Sequence, residues 1–180
     1  RNADIAGIGE YQEGWNFTGN PTDFSGLKSA TVPFLTGAQA VNNPTCTAAA
    51  GPAGSLGYIA MQKWGCFING SSVMVPPALG TQGNTVRNMF RGNGIHLWDA
   101  SVSKDFRLGE KLNAQFRVEV FNLLNQMMWG NPQFNGNGYN DPLTPELFGG
   151  SPSTPDVANN NPSLGSGGPR AFQFGLKFTF

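Results

Sequence analysis

Charge is scarce in this sequence. Asp, Glu, Lys and Arg make up 12% of 180 residues, against roughly 25% in ordinary soluble domains. The 11 basic and 11 acidic side chains cancel to a formal net charge of zero. A chain with no basic field has no electrostatic hold on a phosphate backbone, so nucleic acid is not an expected partner. Long apolar runs are also missing. The uncharged apolar stretches fall far short of the about 18 to 20 residues that a membrane-crossing helix needs, which excludes helical spanning and leaves the barrel as the membrane solution.

Histidine occurs once, as His96, and cysteine twice, as Cys46 and Cys66. Neither cysteine has a His or a further Cys at a metal-ligand spacing, so zinc is not expected. The two cysteines are candidates for a disulfide. Closing a loop of that size contributes roughly 3 kcal/mol and the bond persists in an oxidising compartment; otherwise they are two buried thiols. His96 has no Ser, Cys or second ligand beside it, and a dyad with Asp99 would put the two side chains on opposite faces of a strand. No catalytic residue, metal or cofactor is expected, and the chain is not read as an enzyme. Asp141, Glu146 and Asp156 lack the regular spacing of calcium ligands and read as turn residues. Gly92 and Gly94 do not make a phosphate-binding glycine motif. The sequence starts at Arg1 with no signal segment before it, which is expected of a fragment or a processed chain.

Glycine and proline are plentiful, 25 and 13 residues, so the chain is expected to be rich in turns and poor in helix. Within it stand segments of period-two alternation. At the C-terminus Phe172, Phe174, Leu176, Phe178 and Phe180 share one parity, and Ala171, Gln173, Gly175, Lys177 and Thr179 the other. The segment 171–180 has the length of a tilted strand crossing a bilayer, and its Phe-rich face suits lipid. Residues 112–124 place Leu112, Ala114, Phe116, Val118, Val120 and Leu124 on one face, interrupted by Asn122. Residues 95–108 place His96, Trp98, Ala100, Val102, Phe106 and Leu108 on one face and Asp99, Ser101, Ser103, Asp105 and Arg107 on the other. Lys104 is the exception on the apolar face, close enough to the turn to extend its ammonium toward head groups.

Gly109, Glu110 and Lys111 join these two strands as a hairpin. Keeping like faces together sets Leu108 opposite Leu112, Val102 opposite Val118 and Asp105 opposite Gln115, with Arg117 diagonal to Asp105 and within reach of it. A further strand is expected near 5–17. Residues 18–94 and 125–170 then form two long loops, the first holding both cysteines; short strands such as Ser72 to Val75 could decorate it but are not assigned.

The expected fold is all-β: a partial antiparallel transmembrane β-barrel of about four C-terminal strands with long extracellular loops. Short turns on one side and long loops on the other are the habit of outer-membrane barrels. With Phe180 at the periplasmic end, both long loops fall outside the cell. The lipid-facing set is Trp98, Val102, Phe106, Phe116, Val118, Phe172, Phe174, Leu176, Phe178 and Phe180; the lumen-facing set is Asp99, Asp105, Arg117, Glu119 and Lys177. The aromatic C-terminal strand resembles the signal read by the barrel-assembly machinery, and outer-membrane lipid is the expected surround.

Four strings carry a more specific resemblance: GWNFTGNPTDF, PPALGTQGNTVRNMFRGNGIHLWDASVSKDF, LNAQFRVEVFNLLNQ and GPRAFQFGLKFTF. Together they resemble the C-terminal barrel end of Oar-like TonB-dependent receptors, the large carboxypeptidase-regulatory-like transporters of acidobacteria. The two loop cysteines and the NPSLGSGGPR stretch fit the same group. The resemblance implies a barrel of about 22 strands that moves a large substrate, inward or outward, with energy drawn through TonB. It also implies partners, TonB and a plug domain, that act through N-terminal regions with no counterpart in these residues. The last strand would seal against a first strand outside this chain. Loop aromatics such as Trp64, Trp129 and Tyr139 would touch substrate. The competing readings are a secreted or surface β-rich adhesion module and a passive porin.

Overall fold

The computed structural model describes residues 4–7, 14–132, 141–155 and 167–180. They divide into two compact units, Arg1–Asn93 with Asn131–Ser151, and Gly94–Gly130 with Pro152–Phe180.

The first unit is built on a four-stranded antiparallel sheet in the order β1-β4-β3-β2, from β1 (Asn16–Thr18), β2 (Phe34–Leu35), β3 (Cys66–Asn69) and β4 (Ser72–Val75). Asn69 pairs with Ser72 across Gly70 and Ser71, and Gly70 sits at φ +60, the left-handed geometry a two-residue hairpin turn requires. Between β2 and β3 run three short helices, α1 (Gly37–Ala40), α2 (Pro44–Ala50) and α3 (Leu56–Trp64). The start of α2 is written locally: Asn43 accepts the N–H groups of Thr45 and Cys46, Pro44 occupies the first turn, and Gly51 ends the helix. Ser55 caps α3 in the same way through the N–H of Tyr58.

Two buried clusters fill this unit. Phe67, fully buried, contacts Trp15, Phe34 and Phe148 with ring centroids 5.5, 4.9 and 4.8 Å away. The second cluster gathers Ala40, Met61, Val73 and Val75 around Cys46 and Cys66, which are joined by a disulfide with Cα atoms 6.2 Å apart. The bond ties α2 to the first residue of β3.

Three expectations change here. Among the described residues of the strand expected near 5–17, only its end is extended, in β1. Residues 5–7 bend, with Gly7 at φ +72 and its N–H donating to Asp4 Oδ1, and 8–13 lie outside the described residues. Residues 18–94 are the body of a folded unit rather than a loop. Its strands of two to four residues are shorter than the window over which alternation becomes visible. The segment 125–170 is likewise not one loop, because part of it returns to this unit. Val32 donates its N–H to the Phe148 carbonyl at 2.9 Å and Ser151 to the Lys28 carbonyl at 2.8 Å, with Phe148 buried in the aromatic core.

The second unit holds a three-stranded antiparallel sheet in the order β5-β6-β7: β5 (Ala100–Arg107), β6 (Asn113–Phe121) and β7 (Ala171–Thr179). Val102 faces Val118 and Asp105 faces Gln115, while Leu108 donates its N–H to the Leu112 carbonyl at the turn. β6 is central, with Phe121 to Asn113 running against Ala171 to Thr179. Strand β6 stops at Asn122, whose φ of +50 leaves the extended region.

Candidate functional site

The three-stranded sheet has two chemically distinct faces because its register keeps the alternation of all three strands in phase. Val102, Val118 and Phe174 form one cross-strand row, Phe106, Ala114 and Phe178 another, and Ala100, Val120 and Phe172 a third. Phe116 and Phe174 stack with centroids 6.4 Å apart and planes 19° from parallel. Val102 is 71% exposed and Phe174 66%, and Phe106, Phe172, Leu176 and Phe178 are also exposed. Ala114 is the buried exception, a small residue between Phe106 and Phe178 in its row. An apolar face this extensive and this uncovered, broken by Lys104, is not stable in water and calls for an apolar surround. Nine-residue strands such as β6 and β7 extend about 30 Å at 3.3 Å per residue, enough when tilted for the roughly 25 Å apolar band of a barrel. No helix among the described residues is long and apolar enough to cross a membrane.

The opposite face is polar. Ser101, Glu119 and Gln173 form one row, Ser103, Arg117 and Gly175 the next, and Asp105, Gln115 and Lys177 the third. Gly175 leaves room beside Arg117. The expected approach of Arg117 to Asp105 is not what forms: Arg117 pairs with Glu119 on its own strand, and Asp105 accepts a hydrogen bond from Gln115 Nε2 at 2.9 Å. Residues two apart on a strand share a face, so Glu119 competes from closer than the diagonal carboxylate. Lys104 lies in the row of Phe116 and Leu176 on the apolar face.

One residue that reads in the sequence only as an interruption turns out to organise the end of the sheet. Asn122 is buried, donates its backbone N–H to Asp99 Oδ1 at 2.9 Å, and donates Nδ2 to the carbonyls of Gln126 and Gly168 at 3.0 and 2.8 Å. Its Oδ1 accepts the N–H of Gln126. It thereby ties the segments entering β5, leaving β6 and entering β7. The signal available in the sequence was its polarity on an apolar parity. Asp99, expected on the polar face, spends its carboxylate on this clamp and makes none with His96, which is exposed in the coil before β5.

Among the loop aromatics, Trp64 packs partly buried against the aromatic core of the first unit, Trp129 is half-buried, and Tyr139 lies outside the described residues. Asp141 Oδ1 accepts the N–H of Leu143 in a turn, Glu146 is exposed, and Asp156 lies outside the described residues.

A family model described as an outer membrane beta barrel domain matches residues 4–167. The chain belongs to that family. As an outer-membrane β-barrel protein it resides in the bacterial outer membrane, and its mostly β architecture with antiparallel sheets is that of a partial transmembrane barrel. The matched region of this barrel protein includes the disulfide-bonded unit, β5 and β6, and ends before β7. Comparison with curated proteins found no match, and comparison with solved structures found none.

Proposed function

We propose that this barrel protein is a transporter of the TonB-dependent, Oar-like kind, with β5, β6 and β7 as part of its wall. The observation that carries the reading is the in-phase pair of faces on one sheet: a mostly apolar face, broken by Lys104, and a face bearing Asp105, Arg117, Glu119 and Lys177. On this proposal the apolar face meets outer-membrane lipid through Trp98, Val102, Phe106, Phe116, Val118, Phe172, Phe174, Leu176, Phe178 and Phe180. The polar face, with Asp99 at its rim, lines the lumen, where its charges meet a plug domain or the passing substrate. Three strands do not close a barrel, so the wall is completed by further strands. The chain has no catalytic role on this reading. The barrel-assembly machinery is the partner of the terminal strand, and TonB acts through a plug.

The hairpin turn at residues 108–112 and the end of β7 lie at one end of the sheet, and the long segments leave from the other. Setting the short turn in the periplasm puts the end of the sheet from which the long segments leave outside the cell.

Reconstitution of the whole protein into planar bilayers tests the reading. A plugged, energised transporter is expected to need detergent for extraction and to stay closed to ions until its plug is deleted. A pore that is open from the start would favour a porin, and a protein that stays monodisperse in buffer without detergent would favour the secreted adhesion module.

A further inference from the structure

The first unit contains a cleft of about 500 Å³, within the range of small-molecule sites. Its deep wall is apolar and fixed: Trp15, Phe24, Met74 and Phe148 line it and all four are buried. Phe90 continues that wall, stacked on Phe24 with centroids 5.7 Å apart. The mouth is polar, lined by Asn88, Asn93 and Asn131 together with Arg91. Among the described residues lining the cleft, Arg91 is the one charged side chain, with no carboxylate beside it.

The Arg91 segment of the mouth is anchored by its backbone. Gly26 donates its N–H to the Arg91 carbonyl at 3.0 Å, and the Arg91 N–H donates to Ser25 Oγ at 2.9 Å. Lys28 donates its N–H to Asn93 Oδ1 at 2.9 Å. The rim is therefore held while the Arg91 side chain stays exposed to solvent. A preformed, largely apolar cavity whose described lining carries one cation at the mouth selects a ligand with the opposite distribution: an apolar body and one anionic end.

We infer that this cleft binds a small organic carboxylate, its ring or chain against Trp15, Phe90 and Phe148 and its anionic end at Arg91, with the Asn88 and Asn131 carboxamides at the rim beside it. The site goes beyond the transport reading and does not depend on it, because binding is measured on the purified protein whether or not the protein moves the ligand.

The test compares 2-naphthoate with its neutral analogue 2-naphthamide by calorimetry on the whole protein in one detergent, so that both probes meet the same micelles. Saturable binding of naphthoate is expected, about tenfold tighter than the amide, as one charge-assisted contact at an exposed arginine supplies. The R91Q variant should bring the two probes to equal affinity. V86W places bulk at the mouth from an exposed position lining the cleft and should abolish binding of both, with the melting temperature of the unit reporting that it still folds. Equal affinities in the wild type, a naphthoate preference that survives R91Q, or binding that persists in V86W with a wild-type melt would each overturn the assignment.

Discussion

At the scale of single residues, position on the two faces of the β5-β6-β7 sheet decides what a side chain costs. Phe174 stands mid-strand on the apolar face and Gln173 beside it on the polar face. On the proposed facing, an arginine at the first would be forced into lipid, whereas one at the second would look into a wet lumen. F174R is expected to destabilise the whole barrel by roughly 2–4 kcal/mol and Q173R by less than about 1 kcal/mol, read by reversible urea unfolding in lipid vesicles. Equal effects from the two variants would contradict the facing. Asn122 behaves differently, because it makes four hydrogen bonds from a buried position at a positive φ. N122A removes the three made by the carboxamide and leaves carbonyls unsatisfied, so a loss of about 2–3 kcal/mol is expected. The Arg117–Glu119 pair, exposed on the arginine side and half-buried at Glu119, should contribute about 1 kcal/mol or less, since ion pairs open to solvent seldom give more; E119Q tests that by the same unfolding curve.

At the scale of elements, the disulfide is the link that makes the short helices and short strands of the first unit one body. Helices of four to nine residues are marginal alone, and strands of two to four residues bury little. Cys46 on α2 and Cys66 on β3, 20 residues apart, restrict the unfolded chain by about 3 kcal/mol. The double variant C46A/C66A is expected to lower the melting temperature of this unit and to open residues 44–66 to protease, measured by mass spectrometry of limited digests. A digest unchanged from the wild type would mean that the aromatic cluster around Phe67 suffices without the bond.

At the scale of the whole molecule, the two units rest on different solvents. The first is stabilised by a core that excludes water; the second, on the proposed facing, rests its exposed apolar face on lipid. Loss of the disulfide should therefore leave the heat-modifiable mobility of the barrel on a denaturing gel unchanged, while F174R alters it. A joint shift from either variant would show that the units fold as one.

Much of the wall was legible from the sequence because its information is local. Period-two alternation fixes the face of every residue in β5, β6 and β7, and a three-residue turn fixes the β5–β6 register, so Val102 against Val118 and Asp105 against Gln115 follow from spacing alone. The first unit was not legible in the same way. Its four strands are too short for alternation to register, β1 pairs with β4 across more than fifty residues, and Phe148 returns from a distant segment of turn-forming composition to complete the aromatic core. Choice among partners was also beyond local pattern. Whether Arg117 meets Asp105 or Glu119, and whether Asn122 interrupts a strand or clamps three segments, depends on distances set by the folded backbone. The sequence by itself determined a two-faced sheet suited to a membrane, because a strand's faces are written in successive residues. Only the tertiary structure decided that the cysteines bond, that a folded unit replaces a loop, and that a cleft forms with Arg91 at its mouth, because each of these needs groups far apart in the chain to meet.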